Sequence, residues 1–201
     1  MTHTPYPTLA RRLLPQVGMQ YDLALIVAGS WLVALMSQLS IPLQPVPITG
    51  QTFGVLLVGA ALGWRRGALA LLLYLLQGIA GLPFFAGGTA GIARLFGPTG
   101  GYLIGFVFAA ALTGWLSERG WDRRLPSTLL AMALGNAVIY LFGLPWLART
   151  VGWEQAIALG LLPFIPGDIL KALLAAFALP GAWRIVERNR PRDDASAHAR
   201  R

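Results

Sequence analysis

The chain alternates apolar runs with short polar breaks or breaks rich in glycine and proline. Apolar stretches fall at roughly 23–39, 53–63, 67–82, 101–117, 127–147 and 161–183. A straight helix needs about 20 apolar residues, rising 1.5 Å each, to cross roughly 30 Å of hydrocarbon. The first, fourth, fifth and sixth stretches meet or approach that length. The second and third are short, and Trp64-Arg65-Arg66 between them leaves room only for a tight turn at a membrane surface. The pattern therefore predicts an all-α integral membrane protein with six transmembrane helices. Short, glycine-interrupted spans belong to membrane folds that enclose a substrate site rather than to plain bundles. The echo of GLPFF (81–85) and GLPWL (143–147) predicts two helices that each end at a proline.

Composition and charge sharpen this picture. The 201 residues are 56% hydrophobic and only 12% charged, about half the charged share of a soluble domain. A net charge of +8 would suggest nucleic acid in a soluble protein. Here the placement of the cations matters more, and no nucleic-acid partner is expected. With the N-terminus inside, the inner segments are the N-terminal tail, the 64–66 turn, the 118–126 loop and the C-terminal tail. They hold Arg11, Arg12, Arg65, Arg66, Arg119, Arg123, Arg124, Arg184, Arg188, Arg190, Arg192, Arg200 and Arg201, which is 13 of the 16 cations. The positive-inside rule then places both termini in the cytoplasm. The expected organisation is a cytoplasmic segment over 1–22, a membrane domain over 23–187 and a disordered tail over 188–201. Arg11-Arg12 resembles a signal-peptide start, but the apolar run that follows ends without a small-residue cleavage site. It reads as a retained first span.

Several chemistries are excluded. The chain has no cysteine, and its two histidines, His3 and His198, lie in the polar tails. No His/Cys metal site is expected. The phosphate-cradling G-x-x-x-x-G-K-[ST] loop is missing, as are the G-x-S-x-G and H-E-x-x-H patterns. An enzyme would have to work with one intramembrane carboxylate.

That carboxylate sits in PGDILK (166–171). Asp168 and Lys171 are three apart and share a helix face. Counting back from Arg184, Lys171 lies about 20 Å above the inner boundary. An unpaired charge there costs on the order of 2.5–3.5 kcal/mol, so the two should face each other or a cavity. A second segment, GLPFFAGGTAGIARLFGPTGGY (81–102), carries seven glycines and Arg94. Irregular backbone at membrane depth is tolerated where it lines a cavity or is buried in protein. A third, SIPLQPVPITGQT (40–52), has three prolines and no charge, and reads as a stiff lid or a plain connector. Residues 40–52 and 83–99 together form the expected gate. Asn136 and Tyr140 are four apart on one span, as Tyr74 and Gln77 are three apart on another; such residues serve as helix glue or as lining. Ala24 and Ala28 give the first span a small-residue face suited to another helix. Arg94 and Lys171 against Asp168 leave a net +1, matched to a small monoanion.

QPVPITGQT, the GLPFFAGG…ARLFGPTGGYLIGF run and PGDILK together closely resemble the BioY family, the biotin-specific substrate-binding (S) components of energy-coupling factor transporters. The resemblance covers roughly 20–185. It implies a six-helix S-component fold that takes biotin from the outside as a transported ligand, with no cofactor of its own. It also implies a transmembrane coupling protein and ATPase subunits as partners within the lipid bilayer. The family's polar positions map onto Arg94, Asp168 and Lys171, with Asn136 and Tyr140 as further lining. Phe84, Phe85 and Tyr102 are expected to hold the ring and chain, and Ala24 and Ala28 to meet the coupling protein. Which cation takes the valerate and which the ureido end stays open. The alternatives are an S component for another small vitamin, or a membrane-embedded enzyme using Asp168 and Lys171.

Overall fold

A computed structural model describes residues 6–13 and 18–188. It is mostly helical. A short α1 (Leu9–Leu13) precedes α2 (Met19–Gln38), and an antiparallel pair of two-residue strands follows, β1 (Ser40–Ile41) and β2 (Ile48–Thr49). Next come α3 (Gln51–Leu62), α4 (Trp64–Ile79), the short α5 (Ala93–Phe96), α6 (Gly100–Ser117), α7 (Leu125–Val151), α8 (Trp153–Gly160) and α9 (Ile165–Arg188). The six apolar stretches of the sequence each fall mainly on one helix: α2, α3, α4, α6, α7 and α9.

Four segments are long and apolar enough to cross a membrane: Met19–Gln38, Gly100–Ser117, Leu125–Val151 and the run Trp153–Arg188. The helices α3 and α4 are shorter, as expected from their sequence. Large apolar side chains cover the outside, where Trp31, Leu35, Phe108, Leu141 and Phe177 are exposed. The buried hydroxyls of Ser30, Thr113 and Thr128 instead bond backbone carbonyls, so none of these three donors is orphaned in the apolar interior. Small residues set the approach of α3 to α6. A Cβ at Gly59 would lie 2.5 Å from the Ala110 carbonyl oxygen and 2.9 Å from its Cα, so only glycine permits that contact.

One expectation is corrected. The helix over 127–147 does not end at Pro145 but runs on to Val151 with that proline inside it. A proline removes one backbone donor, and a bundle re-satisfies or tolerates that loss better than isolated helix does. The segment after it carries a further short helix, α8, from Trp153 to Gly160. Arg149 lies over the Trp146 ring, 4.8 Å from its centroid.

The two ends of the bundle differ in chemistry. At one end Tyr6 N–H bonds the Glu118 carbonyl at 2.8 Å. There the Arg123 guanidinium stacks between the rings of Tyr6 (4.6 Å) and Trp183 (4.2 Å). Trp183 Nε1 donates to buried Asp122 at 2.6 Å, and Asp22 pairs with Arg66. The N-terminal segment, the α3–α4 turn, the 118–124 loop and the end of α9 are thus gathered together with their arginines. Burial pushes the Asp122 carboxyl above its ordinary range, against the Trp183 and Ser117 hydrogen bonds and the Arg123 charge that pull it down. Residues 1–5, 14–17 and 189–201 lie outside the described residues, and with them all of the expected tail but Arg188, which ends α9.

Candidate ligand-binding site

The other end carries a cavity of about 300 Å³ between the loop 40–50, the segment 85–99 and the helices α6 and α7. That is at the lower end of the roughly 300–1,000 Å³ of small-molecule pockets. The loop 40–50 is drawn over it by the β1–β2 ladder, in register Ser40 to Thr49 and Ile41 to Ile48, and by the Gly50 N–H to the Leu39 carbonyl at 2.8 Å. Prolines 42, 45 and 47 supply a stiff wall. The segment 85–99 closes the other side through the isolated Phe85–Thr89 bridge and the single turn of α5.

Arg94, on α5, is exposed and lines the cavity. Among the described residues its guanidinium has no hydrogen-bond or ion-pair partner. Phe85 is buried in the wall, its ring edge-on to Tyr74 at 5.7 Å. Tyr102 lines the cavity with its ring, while its hydroxyl donates to the Gly160 carbonyl at 3.0 Å and ties α6 to the end of α8. Tyr140 also lines the cavity, edge-on to Tyr102 at 6.4 Å, and donates its proton to Asp168 Oδ2.

The remaining candidates stand one layer back. Asp168 is buried, at 7% exposure, on the first turns of α9. It pairs with Lys171 at 3.4 Å, the i,i+3 contact the spacing foretold. Lys171 Nζ also donates to the Thr49 carbonyl at 2.9 Å and Thr52 Oγ1 at 2.8 Å, and both threonines line the cavity. The pair therefore touches the cavity through Tyr140 on one side and through Thr49 and Thr52 on the other. Asn136 is not on the cavity wall; it borders a small void behind it with Lys171, and its Oδ1 has no partner among the described residues. Phe84 is also off the wall, with its ring edge-on to Trp31 at 5.9 Å. Ala24 and Ala28 are exposed on α2, on the same face as Trp31 and Leu35.

Thr49, Gln51 and Thr52 were not singled out from the sequence, yet all three line the cavity. The only available signal was their place at the end of an uncharged proline loop.

Comparison with known proteins follows from this arrangement. The model of the BioY family matches residues 11–188. This chain belongs to the BioY family. A probable biotin transporter BioY of Pyrococcus horikoshii is 46% identical over 154 residues, covering 77% of this chain and 91% of the relative. The biotin transporter BioY of Rhizobium etli is 42% identical over 161 residues, covering 76% and 84%. These relatives are transporters, not enzymes, which removes the membrane-enzyme alternative. The fold is likewise that of a solved S component: a crystal structure of the S component for biotin from an ECF-type ABC transporter aligns with a TM-score of 0.71. It covers 84% of this chain and 95% of that one at 24% identity. The BioY resemblance read from the motifs is thus borne out, and the chain is a multi-pass membrane protein.

Proposed function

We propose that this chain captures biotin from the outer side of a prokaryotic cell membrane as the S component of an energy-coupling factor transporter, while partner ATPase subunits hydrolyse ATP. The observation that carries the reading is an amphipathic cavity with two complementary polar ends. One is the unpartnered Arg94 guanidinium. The other is the Tyr140 oxygen, whose proton is committed to Asp168. Biotin is a monoanion with a valerate carboxylate, an apolar ring and two ureido N–H donors. Arg94 takes the carboxylate in a charge-assisted pair. Lys171 is already engaged by Thr49, Thr52 and Asp168, so it serves the other end.

There, a phenol that donates to a carboxylate has only acceptor capacity left to offer, and the ureido N–H groups need acceptors. Asp168 acts through Tyr140, and Lys171 balances Asp168 while holding the loop at Thr49. Phe85 and Tyr102 flank the apolar ring. Asn136 supports Lys171 from behind. The cation-rich end faces the cytoplasm by the positive-inside rule, with six helices crossing and both termini inside. The exposed Ala24–Ala28 face of α2 meets the transmembrane coupling protein. The sequence has no phosphate-binding loop, which fits an energy source on another subunit.

Calorimetric titration of biotin into the detergent-solubilised chain tests the reading. One-to-one binding without ATP or partners, uncontested by other vitamins in excess, supports it. Folded protein that gives no heat with biotin, or that prefers another vitamin, overturns it. Thiol labelling of cysteines introduced near Arg188 and at Leu43 tests the sidedness, since the natural chain has no cysteine to interfere.

A further inference from the structure

The two walls of the cavity are joined by a buried polar chain whose middle links, Gln51 and Tyr74, the binding reading does not use. Its members are fixed in direction by simple donor and acceptor logic. The Phe84 carbonyl can only accept, and it receives Tyr74 Oη at 3.2 Å and Ser37 Oγ at 2.6 Å. Tyr74 therefore spends its proton on Phe84, and its oxygen accepts from Gln51 Nε2. That sets the amide of Gln51, so its Oε1 faces Thr49 Oγ1 and accepts from it at 3.1 Å. The same Thr49 hydroxyl accepts the Gln51 backbone N–H at 3.2 Å. Thr49 in turn receives Lys171 on its carbonyl at 2.9 Å. Gln38 Nε2 adds bonds to the Pro83 and Phe85 carbonyls at 3.3 and 3.5 Å.

Gln51 is 5% exposed and Tyr74 wholly buried. Each polar atom named in this chain has a partner, and losing one partner leaves another stranded in an apolar interior. The chain starts on α9, passes through the end of the 40–50 loop and α3, crosses to α4 and finishes in the 83–85 segment.

We propose that Gln51 and Tyr74 are positioning residues whose amide–phenol bond couples the 40–50 loop to the 83–92 segment, so that the two walls open together and set the rate at which ligand leaves. This rests on the reading of the cavity as the biotin site. Tyr74 is off the cavity wall, and Gln51 borders it with its side-chain amide spent on Tyr74 and Thr49. Tyr74→Phe keeps the ring against Phe85 and removes only the hydroxyl; Gln51→Leu removes the amide at similar size. A buried hydrogen bond of this kind is worth roughly a threefold to tenfold change in an equilibrium or rate constant.

The test uses the full chain in detergent or nanodiscs, with release of labelled biotin after a chase of unlabelled biotin. It also uses amide hydrogen exchange without ligand. Each single variant is expected to release biotin roughly threefold to tenfold faster with little change in association rate. The double variant should release no faster than the singles, because both break one link. Exchange should rise in 40–50 and 83–92 together in Tyr74→Phe. Unchanged release, additive effects, or faster exchange confined to one of the two segments would overturn the proposal. If the wild type binds no biotin, the functional reading fails. The exchange comparison needs no ligand and then decides the coupling alone.

Discussion

Asp168→Asn tests the site at its most informative atom. The carboxylate serves two donors at once, Tyr140 through Oδ2 and Lys171 through Oδ1 at 3.4 Å. Asparagine has the same shape but a single acceptor oxygen, so it can serve only one of them. The ammonium is the stronger claimant, because hydrogen bonds to charged groups are worth about 1.5–3 kcal/mol against about 1 kcal/mol for neutral ones. The amide oxygen therefore turns to Lys171 and its NH₂ group to Tyr140. The phenol must then accept from the amide and point its own proton at the cavity. The wall changes from acceptor to donor where the ureido N–H groups are to bind.

The expected loss of affinity is the charge-assisted arrangement behind one ligand hydrogen bond, about 2–3 kcal/mol, or a weakening of roughly 30- to 150-fold. Titration calorimetry of biotin against wild type, Asp168→Asn and Tyr140→Phe reads it directly. Both variants should weaken binding, since they damage one relay at its two ends. Asp168→Asn within about threefold of wild type would refute the argument. So would Tyr140→Phe binding as wild type while Asp168→Asn does not, because the ligand would then take the carboxylate without the phenol.

Three further outcomes are expected. Arg94→Gln should weaken biotin by roughly tenfold or more but leave the affinity for biotin methyl ester unchanged, which paired titrations check. Gly78→Ala places a Cβ 2.3 Å from the Phe85 ring; displacing that wall should cost about 1–3 kcal/mol, seen in the thermal midpoint and in biotin affinity. Gly181→Ala, with no neighbour within 4 Å of its Cβ, is the control. At the arginine-rich end, the Asp122 carboxyl titrates higher folded than unfolded, so the folded state holds that proton more tightly. Its contribution to stability is largest below the ordinary carboxylate value near 4 and falls as pH rises through the folded value. Thermal midpoints measured across that range should show the fall, and Asp122→Asn should lose it; an unchanged slope in the variant would contradict the assignment.

The sequence made the helices and the charge asymmetry legible because both obey one-dimensional rules. Apolar length marks a span, and the arginines of four separate segments do gather at one end, around Glu118, Asp122 and Trp183. The Asp168–Lys171 contact was equally local, an i,i+3 pair on α9. What failed was also local reasoning applied too strictly. Pro145 reads as a helix end from the chain alone, but packing carries α7 on to Val151. What stayed invisible was non-local. Gln51 and Tyr74 are 23 residues apart on different helices, and nothing in either neighbourhood announces the other. Tyr74 read as one more polar residue on a span until the fold of α3 against α4 placed it beside the loop.

The layering of charge keeps the buried charges of the site satisfied within the chain. An isolated carboxylate or ammonium on the wall of a dry cavity would carry a desolvation cost of several kcal/mol. Here the Asp168 and Lys171 charges are set behind the wall and satisfied by each other, by Tyr140, Thr49 and Thr52 before any ligand arrives. The cavity itself is then lined by neutral groups already turned in one direction, acceptor outward at Tyr140. Of the residues lining the cavity only Arg94 is charged, and its exposed guanidinium has no partner among the described residues. A ligand with donors at one end and a carboxylate at the other therefore meets a surface that needs little reorganisation, which is the condition for tight binding without an energy source in the same chain. By the same argument a neutral analogue of equal size should lose the Arg94 contribution alone, and an analogue lacking the two N–H donors should lose the Tyr140 contribution alone. The two losses should add in an analogue missing both, since the groups they report share no hydrogen-bond partner.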